Sequence, residues 1–352
     1  MRPCLILFLA CAIVNLYGQD SLNNSRSAFS FHGSADIYYQ TAGQSEKMQP
    51  AFIYNFPENH AIRPNLVELS STFDKSPWKV RIDLMAGDYS DKNLAGEPAL
   101  WKHVYEASIC YQPTIAWKFQ AGILPSHIGF ETAIAKNNWN LSRSLLAENS
   151  PYYETGIWIE HQTKSNWVMA VLLVNGWQHI KDNNRSPAFG TQIQSPVGKK
   201  SRFNSSVYIG NEGSRNGRQL RLFQDFYIET KLNKKDRLAL IFDIGAQQRP
   251  GENHFDNWYG AALLYQHGFN EKWKMVLRAE YYLDRKNIII STISLPAKGI
   301  SGLAFNLDHQ KYSWLLVRLE FRTLRSGSFF CMKGNIPQKE ISSLLACTTI
   351  YF

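Results

Sequence analysis

The chain has 352 residues, of which 44% are hydrophobic, 13% aromatic and 19% charged, with a formal net charge of +9. So many aromatics exclude a disordered chain, and the lack of any apolar run of about 18 residues beyond position 17 excludes a bundle of membrane helices. What remains is an all-β protein, either soluble or a transmembrane barrel whose strands alternate apolar and polar residues.

The first element in chain order is an export signal. Met1 and Arg2 open a short positive region, positions 4–16 are apolar, and Leu16, Tyr17 and Gly18 precede Gln19, a pattern that predicts a secretory signal peptide over 1–18. The residues before Cys11 make a poor lipobox, so lipidation is not expected. A polar stretch over 19–27 then reads as a short periplasmic segment. Cleavage removes one arginine from the formal +9, leaving +8, and keeps Cys110, Cys331 and Cys347. Three scattered cysteines form neither a disulfide framework nor a metal-ligand spacing, so no metal and no cofactor is expected. Pairing of Cys331 with Cys347 stays open, although one lies in a long connection and the other within the last strand, an unfavourable placement for a disulfide.

From residue 28 onward, apolar and polar residues alternate strictly in segments of about ten, the period of half-buried strands. Strands are predicted over 29–40, 65–73, 78–87, 103–111, 117–124, 153–162, 167–177, 188–194, 203–210, 220–232, 238–247, 258–266, 273–283, 300–308, 314–322 and 344–352. That is sixteen, an even number. Short polar turns at 74–77, 112–116, 163–166, 195–202, 233–237, 268–272 and 309–313 alternate with longer connections such as 88–102, 125–152, 178–187, 249–257, 284–299 and 323–343. Short turns on one rim and long loops on the other, with both termini on the short-turn rim, imply a single transmembrane antiparallel β-barrel over 28–352 in the outer membrane of a Gram-negative bacterium, with periplasmic turns and extracellular loops.

Trp78, Trp117, Trp167, Trp273 and Trp314 each open a strand directly after a short turn, which places five of the ten tryptophans at one height as an aromatic girdle facing outer-membrane lipid. In the last strand Leu344, Ala346, Thr348, Ile350 and Phe352 share one face. A terminal Phe after such alternation is similar to the C-terminal signal read by barrel assembly machinery. If the apolar phase of each strand meets lipid, the other phase lines the lumen. The lumen-wall candidates are then Lys79, Arg81, Asp83, Glu106, Glu160, Arg221, Asp225, Glu229, Arg278, Glu280, Arg318 and Glu320. Sixteen strands leave room for an aqueous channel, in which these charges need be neither desolvated nor individually paired, and the excess of acids predicts a weak cation preference. Lysines in the short turns, Lys272 among them, read as solvated groups near anionic headgroups. The isolated basic turns lack the continuous basic stripe that nucleic-acid binding needs, so no nucleic-acid partner is expected. Nine scattered histidines with no readable nucleophile–base order point away from an enzyme.

Ala121-Gly122-Ile123, followed by Ile128-Gly129-Phe130-Glu131, Asn140-Leu141-Ser142-Arg143-Ser144 and the run Pro151 to Gly156, resembles the characteristic region of the OmpL-like β-barrel porins, common in Bacteroidota. The resemblance extends as strand-and-turn rhythm over about 28–352. It implies an outer-membrane porin without catalytic residues, a passive diffusion channel for small hydrophilic solutes or ions. In sixteen-stranded porins the third loop folds into the lumen, and by that analogy the 125–152 connection forms the constriction, with Glu131, Arg143 and Glu148 as its charged groups facing the wall. A homotrimer fits the resemblance but is not fixed by the sequence. Two alternatives stay open: a plugged barrel serving binding or adhesion, and an outer-membrane enzyme. The 323–343 connection, with Phe329, Phe330, Cys331 and Met332, is more apolar than the resemblance implies, which leaves the register of the last hairpin open.

Overall fold

The computed structural model describes residues 27–42, 50–213 and 217–352. The expected signal peptide and residues 19–26 lie outside them. Fifteen long strands follow in order: β1 (Ala28–Ala42), β2 (Ile62–Lys75), β3 (Trp78–Ala86), β4 (Val104–Tyr111), β5 (Trp117–Pro125), β6 (Tyr153–Gln162), β7 (Val168–Val174), β8 (Ala188–Val197), β9 (Ser201–Asn211), β10 (Leu220–Lys231), β11 (Asp236–Gln248), β12 (Phe255–Gly268), β13 (Trp273–Asp284), β14 (Ile300–Tyr312) and β15 (Leu315–Ser326). A small hairpin, β16 (Cys331–Lys333) with β17 (Ile336–Gln338), precedes the last strand, β18 (Glu340–Tyr351). Two short helices, α1 (Asp88–Asn93) and α2 (Leu145–Glu148), sit in the long connections.

Each long strand pairs antiparallel with its chain neighbours, and β1 pairs with β18 from Ser34↔Tyr351 to Ala42↔Ser343, closing a barrel of sixteen strands. Closure leaves no unpaired edge, which a chain surrounded by lipid requires. Side chains with an exposed apolar surface, such as Ile109, Val171, Leu240, Leu263, Phe305 and Phe321, form the outside, and their strand neighbours are buried inside. The structure adds residues at the ends of most of the predicted strands. The ladder continues where apolar alternation stops, so that Pro196↔Arg202 and Val197↔Ser201 still pair and the predicted 195–202 turn shrinks to three residues. Apolar alternation marks the part of a strand that meets hydrocarbon, whereas backbone hydrogen bonding runs on into the interface.

The last hairpin registers as Leu315↔Ile350 through Arg325↔Glu340. The apolar connection before β18 folds inward: Phe330 and Cys331 are buried, and the Phe330 ring centroid lies 6.4 Å from that of Phe52 in the first long connection. Cys110, Cys331 and Cys347 are all free and buried.

Two glycines of the 121–156 region face each other across β5 and β6, in the register Gly122↔Gly156. Gly122 has φ +131°, and a Cβ on it would lie 2.0 Å from the Ala107 carbonyl oxygen; a Cβ on Gly156 would lie 2.0 Å from the Leu173 carbonyl oxygen. Both obstacles are backbone, which cannot rotate aside as a side chain can. Gly156→Ala is therefore expected to destabilise the barrel by about 3 kcal/mol, measured by urea unfolding in detergent. The control is Gly96→Ala, since a Cβ on Gly96 meets nothing within 4 Å; equal midpoints for the two variants would contradict this.

Candidate functional site: the loop across the lumen

A sixteen-stranded barrel with strands about 4.8 Å apart and tilted by about 40° is roughly 30 Å across. The 126–152 connection, at roughly 3.3 Å per residue, reaches far enough to cross that width and return. It does cross. The loop leaves β5 and enters β6, yet its middle is hydrogen-bonded to β13, β14 and β15, on the opposite side of the ring.

Near its root the loop is fixed by His127. Nδ1 lies 2.8 Å from a Glu154 carboxylate oxygen and Nε2 lies 2.9 Å from the Val207 carbonyl. Both partners only accept, so both ring nitrogens carry hydrogen and the ring is an imidazolium. Burial opposes that charge, but Glu154 prevails and holds the His127 pKa above its ordinary value. The His127 carbonyl accepts from Gln192 and Ser206, each at 2.7 Å.

At the far wall, Arg318 donates to Asp308 at 2.7 Å and to the Ala135 and Asn138 carbonyls at 2.8 and 3.1 Å. Arg278 donates to the Ser142 carbonyl at 2.6 Å and its hydroxyl at 2.9 Å. Its guanidinium also stands 3.7 Å from Glu131, 3.5 Å from Glu280 and 3.9 Å from Glu320. Glu280 accepts from the Leu145 N–H at 2.6 Å and from Arg322 at 2.7 Å, and Glu320 accepts from the Ser142 N–H at 3.1 Å. Wall charges thus satisfy the loop backbone, the requirement that makes buried irregular chain tolerable.

The three proposed constriction charges are buried, and most of their bonds are to the loops themselves. Glu131 accepts from the Ser144 N–H at 3.1 Å and from its hydroxyl, while Ser144 Oγ accepts from the Ala147 N–H and so caps α2. Arg143, 0% exposed, donates to the Thr132 and Leu141 carbonyls at 2.7 and 2.9 Å and to the Ala133 carbonyl. Glu148 accepts from the Tyr54 and Asn55 N–H groups at 2.8 and 3.3 Å, joining this loop to the first long connection. Burial raises the Glu131 pKa against the pull of Arg278, and raises that of Glu148 to about 7.

All twelve wall candidates occupy the inward register of their strands, but the expectation of an open aqueous lumen around them is corrected at the height of the loop. Arg278, Arg318, Asp83, Asp225 and Glu320 are at most 1% exposed. Ile128, Trp139, Leu145 and Leu146 of the loop, with Phe52 and Ile53 of the first long connection, pack against wall residues Leu172, Tyr208, Ile241, Leu264 and Val276. Lys79, Arg81, Glu106 and Glu229 instead border cavities on the short-turn side, of about 530, 320 and 650 Å³. The sequence reading missed His127, Asn306 and Asp308 as anchors. Asp308 was visible only as the polar end of a strand, and nothing local marks Asn306.

On the outer surface the five turn-proximal tryptophans are 38–51% exposed and pair with neighbours, Trp78 with Tyr111 at 4.6 Å and Trp273 with His309 at 4.2 Å between centroids. Phe352 exchanges backbone hydrogen bonds with Gly33, at 3.1 and 3.2 Å, so the terminal residue helps close the barrel seam.

Comparison with known proteins agrees with this architecture. OmpT of Vibrio cholerae, an outer-membrane protein, superimposes with a TM-score of 0.64 at 7% identity, covering 94% of this chain and 99% of that one. The anion-selective porin of Comamonas acidovorans gives 0.62 at 9% identity, covering 93% and 100%, and OprB of Pseudomonas putida gives 0.58 at 8%, covering 93% and 94%. No curated protein sequence matches the chain. The family model described as "Putative beta-barrel porin-2, OmpL-like" matches residues 28–352, and with a closed sixteen-stranded barrel beneath that match, the chain belongs to this family of outer-membrane porins.

Proposed function

We propose that the protein is a passive diffusion channel for small hydrophilic solutes or ions whose passage is governed by the 126–152 loop. The carrying observation is the loop itself, which crosses the full lumen and is held there by Arg278, Glu280, Arg318 and Glu320 of the wall. Within it Glu131, Arg143 and Glu148 maintain the loop's shape, and the remaining wall charges set the field along the path. The chain reaches the membrane with its first 18 residues as a cleaved export signal and Phe352 as its assembly signal. It works without a catalytic group, bordered by lipid. A trimer is in keeping with the fold, since one comparable solved form of Vibrio cholerae OmpT is a trimer.

The apolar packing of loop on wall favours a second reading, a plugged barrel that binds rather than conducts. Single-channel recording in a planar bilayer separates the two. Stepwise ohmic openings, with a reversal potential in a salt gradient, are expected of the channel; a folded barrel that gives no openings would establish the plug.

A further inference from the structure

Beneath the loop, on the short-turn side, one recess has an unusual charge balance. It is a cavity of about 320 Å³ between loop residues 136–139 and the inner wall of β9 to β15. Lys136, Arg202, Arg237, Lys272 and Lys274 line it, against two carboxylates, Glu229 and Asp308. Asp308 is already held by Arg318 at 2.7 Å. Glu229 is shared between Arg237 and Arg202, the latter at 3.5 Å. Among the described residues, Lys136, Lys272 and Lys274 form no ion pair with a carboxylate. One guanidinium nitrogen of Arg237, Nε, is buried without a partner, while its plane lies over the Trp139 ring at 4.7 Å.

Five cations converging on one recess repel one another, and the low-dielectric walls of a barrel interior focus rather than dissipate that field. Lys272 and Lys274 are exposed and border this recess with no carboxylate partner, so a negative solute entering it lowers that repulsion. Lys272 was expected among headgroups outside the barrel; it borders the lumen instead. The recess lies inside the barrel wall, so the counter-charge is a dissolved solute and not a lipid headgroup. Gln266 also lines it and supplies an amide donor for further oxygens, while the Gln310 amide is already engaged by Tyr312, Leu315 and Tyr351.

We propose that this recess binds a compact anion bearing two or more negative charges, of the phosphate-ester or polycarboxylate type. A monovalent ion neutralises only one of these positive charges, whereas a polyvalent one offsets those of Lys136 on the loop and of Lys272 and Lys274 on the wall together. The inference rests on the porin reading only for how the solute arrives. It reverses the cation preference suggested by the acid count of the wall, because the wall acids of the middle section are internally paired or buried while these cations border open space.

The test is isothermal titration of the chain folded in detergent, at low ionic strength, with inorganic tripolyphosphate, then citrate, then chloride. One tripolyphosphate per chain is expected, with affinity falling steeply as salt is added; citrate binding alongside it would show that charge and not phosphorus is recognised. The Lys272→Gln, Lys274→Gln double variant, changed only at exposed side chains, is expected to bind roughly tenfold more weakly. A control pair outside the recess, Lys75→Gln with Lys164→Gln, is expected to bind as the parent does. Absence of binding, or equal weakening in both pairs, would overturn the proposal. Single-channel recording of the same preparation keeps the two readings apart: binding without conductance removes the channel and leaves the anion site, while conductance without binding removes the site alone.

Discussion

Replacing residues 129–149 with a short Gly-Ser bridge is expected to raise single-channel conductance by roughly fivefold or more, since a sixteen-stranded wall encloses a wide aqueous path once its interior is cleared. The bridge is geometrically simple. Pro125 pairs with Tyr153, and the Ser126 N–H donates to the Tyr152 carbonyl at 3.0 Å, so the loop's two ends already meet. Removing the segment uncovers Ile241, Leu264 and Val276 to water and leaves Arg278, Glu280, Arg318 and Glu320 without their loop partners. Those four regain hydration in a widened lumen, which makes their loss of partners far cheaper than in a sealed interior. The barrel therefore persists, held by its closed ladder, with a lowered thermal transition. A narrower variant, Arg318→Met, leaves the ladder whole and detaches only the loop's middle; hydrogen exchange over 133–142 is expected to accelerate. A folded excision variant conducting like the parent would show that the loop is not the barrier.

The sixteen strands were legible because period two is a local signal repeated along the chain, and because lipid demands it on every strand. The tryptophans beside the turns and the apolar face ending at Phe352 were equally local, and so was the inward phase of residues such as Asp225 and Arg278. What fills the barrel was not. Whether Arg278 stands in water or is sealed under Ser142 depends on a contact between positions 136 residues apart, and no spacing rule reports it. Phe52 and Ile53 read as loop residues, and their burial against Leu146 and Phe330 follows only from closure of the ring. The small hairpin β16–β17 escaped for the opposite reason: three-residue strands carry too few alternations to register as a period.

Glu148 supplies the other large expected effect, a conductance that rises with pH. Its carboxyl is buried between the loop and the first long connection, and burial lifts its pKa to about 7 from an ordinary value of 4.5, outweighing the N–H donors of Tyr54 and Asn55 and the nearby Arg143. A carboxyl whose pKa is higher in the docked state binds its proton more tightly there. Its contribution to docking is accordingly complete below about pH 4.5 and is lost as pH climbs through about 7, a difference of at most about 3 kcal/mol. Glu131, raised in the same direction, adds to the trend. His127 acts in the same sense, since its raised pKa keeps the imidazolium bridge to Glu154 in place at low pH and releases it as the pH climbs past that value. Conductance recorded at pH 5 and pH 8 should thus show the looser loop and larger current at pH 8. Glu148→Gln cannot ionise and still accepts a backbone hydrogen bond through its amide oxygen, so it should flatten most of the difference. A parent protein with the same current at both values, or an undiminished pH response in Glu148→Gln, would mean that docking of the loop does not depend on this carboxyl.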